Sequence, residues 1–177
     1  DHLDYHHSMA EYCGAKLRLF RDFAPATRIY NADDTAVAEH RDVWRSDSFG
    51  VSDHNVSAAV QFEISQTAPL TISLRTPWGE GSLQTPLSGQ FNAFNMVASL
   101  TAVLSLGVPF AEALGAAEAV RPVLGRLQSI GADADIRVII DYAHTPDALE
   151  RAIRALAEAR NGGQIWVLFG CGGDRDR

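Results

Sequence analysis

"IRVIIDYAHTPDALERAIRALAEARNGGQIWVLF", residues 136–169, decides the fold. Ile136 to Ile140 is an almost wholly apolar run, and Ile165 to Phe169 is another. Between them Leu149, Ile153 and Leu156 recur at helical spacing, which predicts a helix over 146–160. Thr145 reads as its N-cap, and Pro146 falls at the first helical position, where a missing N–H costs nothing. Asp147 lies in the first turn, where the helix dipole favours an acid. Apolar runs of this kind are strands buried on both faces, and strand–helix–strand in about 30 residues is a βαβ unit. Asp141, Tyr142 and His144 are left without a structural role. They stand at the carboxyl end of a parallel strand, where open α/β sheets bind ligands. Residue type and place alone leave open whether Asp141 or His144 touches one. "FGCGGDRDR", residues 169–177, leaves the next strand at the same sheet edge and reads equally as a plain turn.

Upstream the style differs. Ser8 and Glu11 form an S-x-x-E capping box, and Met9, Cys13, Leu17 and Phe20 continue it as one helical stripe to about Asp22. "TRIYNADD", residues 27–34, predicts a short strand and a polar turn; "DVWRSDSFG", residues 42–50, predicts a second strand. Val56, Ala58, Val60, Phe62 and Ile64 then alternate with polar or small residues, as do Leu70, Ile72 and Leu74. A "PWGEGS" turn leads to Leu83, Thr85 and Leu87. Period-2 alternation of this sort is an antiparallel meander with one wet face. A long helix is expected from about Phe91 to Gly107, with Pro109 as a stop, and a shorter one from Phe110 to about Val120. The boundary between two α/β units falls near residue 122, giving 1–122 and 123–177.

Composition narrows the class. The chain has 177 residues, 46% hydrophobic and 21% charged, which suits one globular domain and part of another. A net charge of -7 without a basic stripe argues against nucleic acid as partner. The most apolar segment, residues 91–108, is broken by Asn92, Asn95, Ser99, Thr101 and Ser105, so it reads as a buried helix and not a membrane span. Cys13 and Cys171 make neither a disulfide framework nor a metal knuckle, which fits a reducing, cytoplasmic setting. Both ends read as interior sequence, so a fragment is expected.

"DHLDYH", "AK", "NADD", "GQFNAFN", "GR", "DYAHTPDALE" and "FGCGGDRDR" occur in the order found in Mur ligases, and the chain resembles that family along its length. His7, Cys13 and Gly14 depart from the family's usual glycine and small residues. The resemblance implies the later part of a central ATPase domain followed by the start of a Rossmann-like, amino-acid-binding C-terminal domain. It is strongest to the members that join a diamino acid, meso-diaminopimelate or L-lysine, to UDP-N-acetylmuramoyl-L-alanyl-D-glutamate in peptidoglycan synthesis. Such ligases use ATP and Mg2+ and pass through an acyl phosphate. The family's GxxxxGK[ST] phosphate loop does not occur in the 177 residues, so the chain alone is expected to be inactive. The alternatives are MurF or a folylpolyglutamate synthase within the same superfamily, or a non-catalytic nucleotide-binding module.

The resemblance also assigns residues. Lys16 becomes the carbamylated lysine with a metal-side role, and His2 a magnesium ligand. Asn95, with Asn92 beside it, contacts adenine. Arg126, Asp141 and His144 reach the nucleotide across the domain junction. Each has a plainer reading. Lys16 lies beside the apolar stripe between Tyr12 and Leu19, where it is either partly desolvated, which would favour the neutral amine that carbamylation needs, or a snorkelling side chain. His2, Asp4, His6 and His7 lack zinc spacing and suit a polar loop. Asn92 and Asn95, at i and i+3, face one site or cap their helix. Arg126 suits a surface charge. Asp33 and Asp34 read as turn residues and helix caps.

Overall fold

The computed structural model describes residues 6–40, 42–44, 48–55, 57–131, 136–160 and 162–170. Its main sheet contains β1 (Arg28–Asn31), β2 (Ser48–Ser52), β3 (Val60–Thr67), β4 (Leu70–Thr76) and β5 (Gly79–Thr85), side by side in that order. The first three strands run parallel, and the last three form the antiparallel meander. Alternation decides the faces. In β4, Leu70, Ile72 and Leu74 are buried while Ser73 and Arg75 are exposed. Phe62 opposes Leu74 in β3, and Leu83 opposes Ile72 in β5, so one face of three strands is apolar.

That face is covered by α3 (Gln90–Ser105), which buries Ala93, Met96, Val97, Leu100, Thr101 and Leu104 against it. Thr101 is tolerated there because its hydroxyl donates to the Val97 carbonyl at 2.7 Å. A second helix, α4 (Phe110–Glu118), packs along β5. The Phe110 ring lies so close to Gly79 that a Cβ built there would sit 3.1 Å from it, and Gly79 also has φ +153°. Those glycines of "PWGEGS" therefore make room for a ring as well as a turn.

The first helix, α1 (Met9–Asp22), begins as the capping box requires: Glu11 N–H donates to Ser8 Oγ at 3.2 Å. The returning Glu11 carboxylate accepts from the His7 N–H, one residue outside the usual position. Only Leu17 of the expected stripe is buried. The helix rests on His40, Asp42 and Trp44: Phe20 meets Trp44 edge-on, Cys13 Sγ lies 3.4 Å from His40 Nε2, and Arg21 pairs with Asp42. Trp44 in turn stacks on Tyr30 of β1 at 4.4 Å. This corrects the strand expected over 42–50. Trp44 is held by stacking and by donating its indole N–H to Val37 of α2 (Thr35–Ala38); residues 45–47 lie outside the described residues, and the described ladder starts at Ser48. Likewise β3 starts at Val60, because Ala58 closes a turn back to the Asn55 carbonyl; Val56 lies outside the described residues.

Beyond residue 122 a second small sheet forms. In it β6 (Gln128–Ile130) pairs antiparallel with β7 (Val138–Ile140). Then comes α5 (Pro146–Ala159), capped by Thr145, whose Oγ1 accepts from Ala148 N–H. Its inner face carries buried Ala152 with half-buried Leu149, Ile153 and Leu156. The strand–helix part of the expected unit is present, but its second strand is not. Residues 164–170 form neither helix nor strand, with Trp166 88% exposed, and the neighbour of β7 is antiparallel β6, not a parallel strand. A strand apolar on both faces needs partners and covering layers, and the described residues supply none for this segment. No helix among the described residues is long and apolar enough to cross a membrane.

Candidate functional site

The end of β7 is organised by one carboxylate. Half-buried Asp141 accepts from the Leu127 N–H through Oδ2 and from the Ala143 N–H through Oδ1, each at 2.8 Å. It thereby ties the strand's exit to the turn before β6. That turn is tight: Leu127 is buried at φ +43°, a conformation non-glycine residues seldom adopt. The tie brings Arg126 over Tyr142, with the guanidinium carbon 5.2 Å from the ring centroid. Tyr142 meets His144 edge-on at 5.0 Å. His144 Nδ1 lies 2.9 Å from the Tyr142 carbonyl. A carbonyl only accepts, so Nδ1 donates to it and Nε2 is the ring nitrogen left for a ligand. Arg126, Tyr142 and His144 are all exposed, and they form a small shelf of planar groups.

The start of α3 meets the turn that precedes β6. Its N-cap is Gly89, at φ +89° and ψ 148°, and no side chain caps the helix. A Cβ at Gly89 would stand 3.2 Å from the Phe91 ring and 3.6 Å from both Leu127 and Ala155 of α5. The α3 start, the turn bearing Arg126 and Leu127, and α5 therefore converge at one point. Half-buried Asn92 donates its side-chain amide to the Ser88 carbonyl at 2.7 Å, which is a capping use; Asn95, one turn on, is exposed and free to face a ligand. Of the residues expected from the sequence, Arg126, Asp141 and His144 lie about the end of β7, linked through Leu127 and Tyr142, while Asn92 and Asn95 lie on α3, whose start approaches Leu127 and Ala155. Asp141 differs in manner: both its oxygens serve backbone N–H groups.

The metal-side expectations fare differently. Lys16 stands on α1, exposed, with its ammonium 5.5 Å from the Tyr12 ring. Leu19 beside it is exposed as well. The partial desolvation expected for Lys16 is therefore not observed: α1 turns that face outward and buries Leu17. His2 and the "GCGGDRDR" loop beyond Gly170 lie outside the described residues.

Sequence reasoning missed a cluster at the carboxyl ends of parallel strands β1 and β2. Asp33 accepts from Ser52 Oγ at 2.5 Å and from the Asp53 N–H at 3.0 Å. His54 lies with Nδ1 2.5 Å from Asp53 and Nε2 3.3 Å from Asp33. The amide of Gln90, first residue of α3, donates to Asp53 at 2.8 Å. Asp34 caps α2, as expected; Asp33 instead joins two strands. The hydrogen bond to Asp53 and the charge of Asp33 raise the His54 pKa above its ordinary value. Burial pushes Asp53 up, but Gln90 and His54 outweigh it and hold the carboxyl below the usual range. Donor atoms of Asp33, Asp53 and His54 lie within 4.8 Å of one another, yet each already serves a hydrogen bond within the cluster. "NADD" and "SDHN", both following apolar strands, were the signal available in the sequence.

Known proteins with the same architecture bear on this geometry. Residues 1–103 match the Mur ligase middle domain, and residues 125–177 match the Mur ligase glutamate ligase domain. The chain is 40% identical, over all of its length, to the UDP-N-acetylmuramoyl-L-alanyl-D-glutamate--2,6-diaminopimelate ligase of Vibrio cholerae, and it spans 36% of that relative. A solved structure of a ligase with the same description superimposes with a TM-score of 0.75 at 30% identity, over 99% of this chain and 37% of the other. MurF from Acinetobacter baumannii superimposes with a TM-score of 0.78 at 26% identity, over 91% of this chain and 36% of that one.

Proposed function

The chain belongs to the Mur ligase family, and on that premise we propose that it is the part of an ATP-dependent ligase where the central ATP-binding domain, residues 1–122, passes into the amino-acid-binding domain, residues 123–177. The gap between the two family matches, residues 104–124, supports that boundary. The whole enzyme joins 2,6-diaminopimelate to UDP-N-acetylmuramoyl-L-alanyl-D-glutamate, in the cytoplasm. Identity of 40% along the full chain supports the diamino-acid-adding branch over MurF.

The observation that supports the reading is the approach of the α3 start, at Gly89, to Leu127 and Ala155, with Arg126 next to Leu127 in sequence and lying over Tyr142. In this reading Asn95, with Asn92 behind it, meets the adenine edge, because an amide offers both a donor and an acceptor to a purine. The Arg126 guanidinium faces phosphate charge, and His144 offers Nε2 to the nucleotide. Asp141 holds Arg126 in place through the Leu127 N–H. Catalysis of phosphoryl transfer is mostly positioning and charge stabilisation, which is the work these groups are placed to do. Magnesium fits Lys16 only as a carbamate, since an ammonium offers no oxygen; exposed Lys16 has room for that adduct, and His2 is the other ligand. Bound magnesium would neutralise charge on the phosphoryl oxygens.

The test is Asp141→Ala in the intact ligase. Loss of the tie frees Arg126, so the KM for ATP is expected to rise about tenfold, the size of a charge-assisted hydrogen bond. The KM for the UDP-peptide should stay within twofold. Steady-state kinetics with each substrate varied decide it; an equal rise in both constants sinks the assignment.

A further inference from the structure

A helix that begins on glycine begins on the least restricted backbone, and α3 has no side-chain cap to fix its entry. Yet its first two turns bear the two proposed adenine contacts, Asn92 in the first and Asn95 in the second. Three ties hold the first turn. The Gly89 N–H donates to the Thr67 carbonyl at 3.0 Å, and the Asn92 amide donates to Ser88 at 2.7 Å. The third is the Gln90 amide on Asp53, across 37 residues of sequence. It alone runs from the helix start to the parallel end of the sheet. Its anchor is rigid, because Asp53 is itself held: its N–H donates to Asp33, its other oxygen meets His54, and Asp33 is fixed by Ser52. A carboxylate acceptor also makes this the strongest of the three, since charge-assisted hydrogen bonds have roughly twice the strength of neutral ones.

We propose that Asp53 and Gln90 are positioning residues for the nucleotide: their hydrogen bond sets the first turn of α3 and so the reach of Asn92 and Asn95. The proposal rests on the reading of those asparagines as adenine contacts. Neither Asp53 nor Gln90 touches the nucleotide. Gln90 is the first helical residue, so releasing it lets the first turn swing about Gly89, which moves Asn92 directly and Asn95, one turn on, through the turn that leads to it. Small misplacements of binding groups weaken sites out of proportion to the bond lost.

The experiment uses the intact ligase with Gln90→Ala, Asp53→Ala, the double variant and Asn95→Ala. ADP binding is measured by calorimetry, and KM and kcat are measured with ATP and with the UDP-peptide varied in turn. Each single tether variant is expected to weaken ADP binding and raise the KM for ATP on the order of threefold to tenfold, the size of one net hydrogen bond. The KM for the UDP-peptide and kcat should stay within twofold. The double variant should be no worse than the worse single, because either change breaks the same bond. Gln90→Lys, which restores a donor opposite Asp53, should recover ADP affinity, whereas Gln90→Glu should bind worse than Gln90→Ala. If Asn95→Ala weakens ADP binding while the tether variants leave it unchanged, or raise both KM values alike, the tether proposal is overturned and the asparagine reading stands. If Asn95→Ala leaves ADP binding unchanged, the asparagine reading itself falls, and the proposal with it. Should Asp53→Ala not fold, the Gln90 variants, at an exposed position, carry the test alone.

Discussion

Single residues in this chain do their work through hydrogen bonds more than through exposure to a ligand. Asp141 is the clearest instance, with both oxygens on backbone N–H groups. His54 is another, and its consequence is a pH dependence. Its folded pKa lies above the ordinary value near 6.5. Its contribution to stability is therefore fully present below about pH 6.5 and lost as pH rises through the raised value. Asp53, held below its usual range, contributes above its unfolded value near 3.8 and loses that only as pH falls through the lower folded one. Between these limits both terms are present together. The thermal midpoint of His54→Ala should therefore fall further below wild type at pH 5.5 than at pH 8.5; an equal gap at both would mean that no proton is linked to folding there. The resemblance to Mur ligases singled out Asn92, Asn95, Arg126, Asp141 and His144 as candidates, but not the Asp53–His54 pair. "SDHN" has no period and no partner within reach, and its meaning comes from Asp33, nineteen residues earlier, across a parallel ladder.

At the scale of elements, what could be read locally was read well. The capped starts of α1 and α5, the meander and the run of α3 all follow from side chains a few positions apart. Two elements failed for a shared reason. Residues 42–44 and 165–169 have strand-like composition, but a strand exists only with a neighbour, and composition cannot supply one. The exposure of Lys16 was left open for a similar reason: which face of α1 is covered depends on Trp44, stacked on a distant strand. Glycines show the contrast sharply. Gly89 holds a backbone region nearly restricted to glycine, so Gly89→Ala should cost about 1–3 kcal/mol and weaken nucleotide binding as α3 shifts. Gly115, inside α4 with nothing within 4 Å of its absent Cβ, is the opposite case. There alanine should stabilise by about 0.5–1 kcal/mol. Urea midpoints at constant slope would test both signs; a stabilising Gly89→Ala would contradict the geometry at the junction.

The whole molecule is an assembly of two units of unlike solidity. The first has a continuous core from Val51 to Ala117. The second buries little, and Ile136, Trp166, Leu168 and Phe169 stand in the open. The 177 residues expressed alone are therefore expected to show no ATP- or amino-acid-dependent phosphate release. The sequence contains no GxxxxGK[ST] loop, and loss of even one charge-stabilising donor commonly costs about 10²–10³ in rate. A phosphate-release assay on host-ligase-free protein decides this; turnover within tenfold of an intact relative would show the chemistry to lie elsewhere.

The mixed direction of the main sheet has a further meaning, in the language of solvent exchange. In β4 both edges are engaged by antiparallel partners, while β1 is bonded on one side only among the described residues. Amide protons of β4 are thus locked until the whole layer opens. Those of β1 divide by parity, every second one pointing toward β2 and its neighbours pointing away. The same sheet thus has a slow clock at its antiparallel end and a fast one at its parallel end, and the Asp33–Ser52 bond lies at the fast end. The anchor of the α3 start, Asp53, follows β2, which is bonded on both sides and so stands between the two clocks.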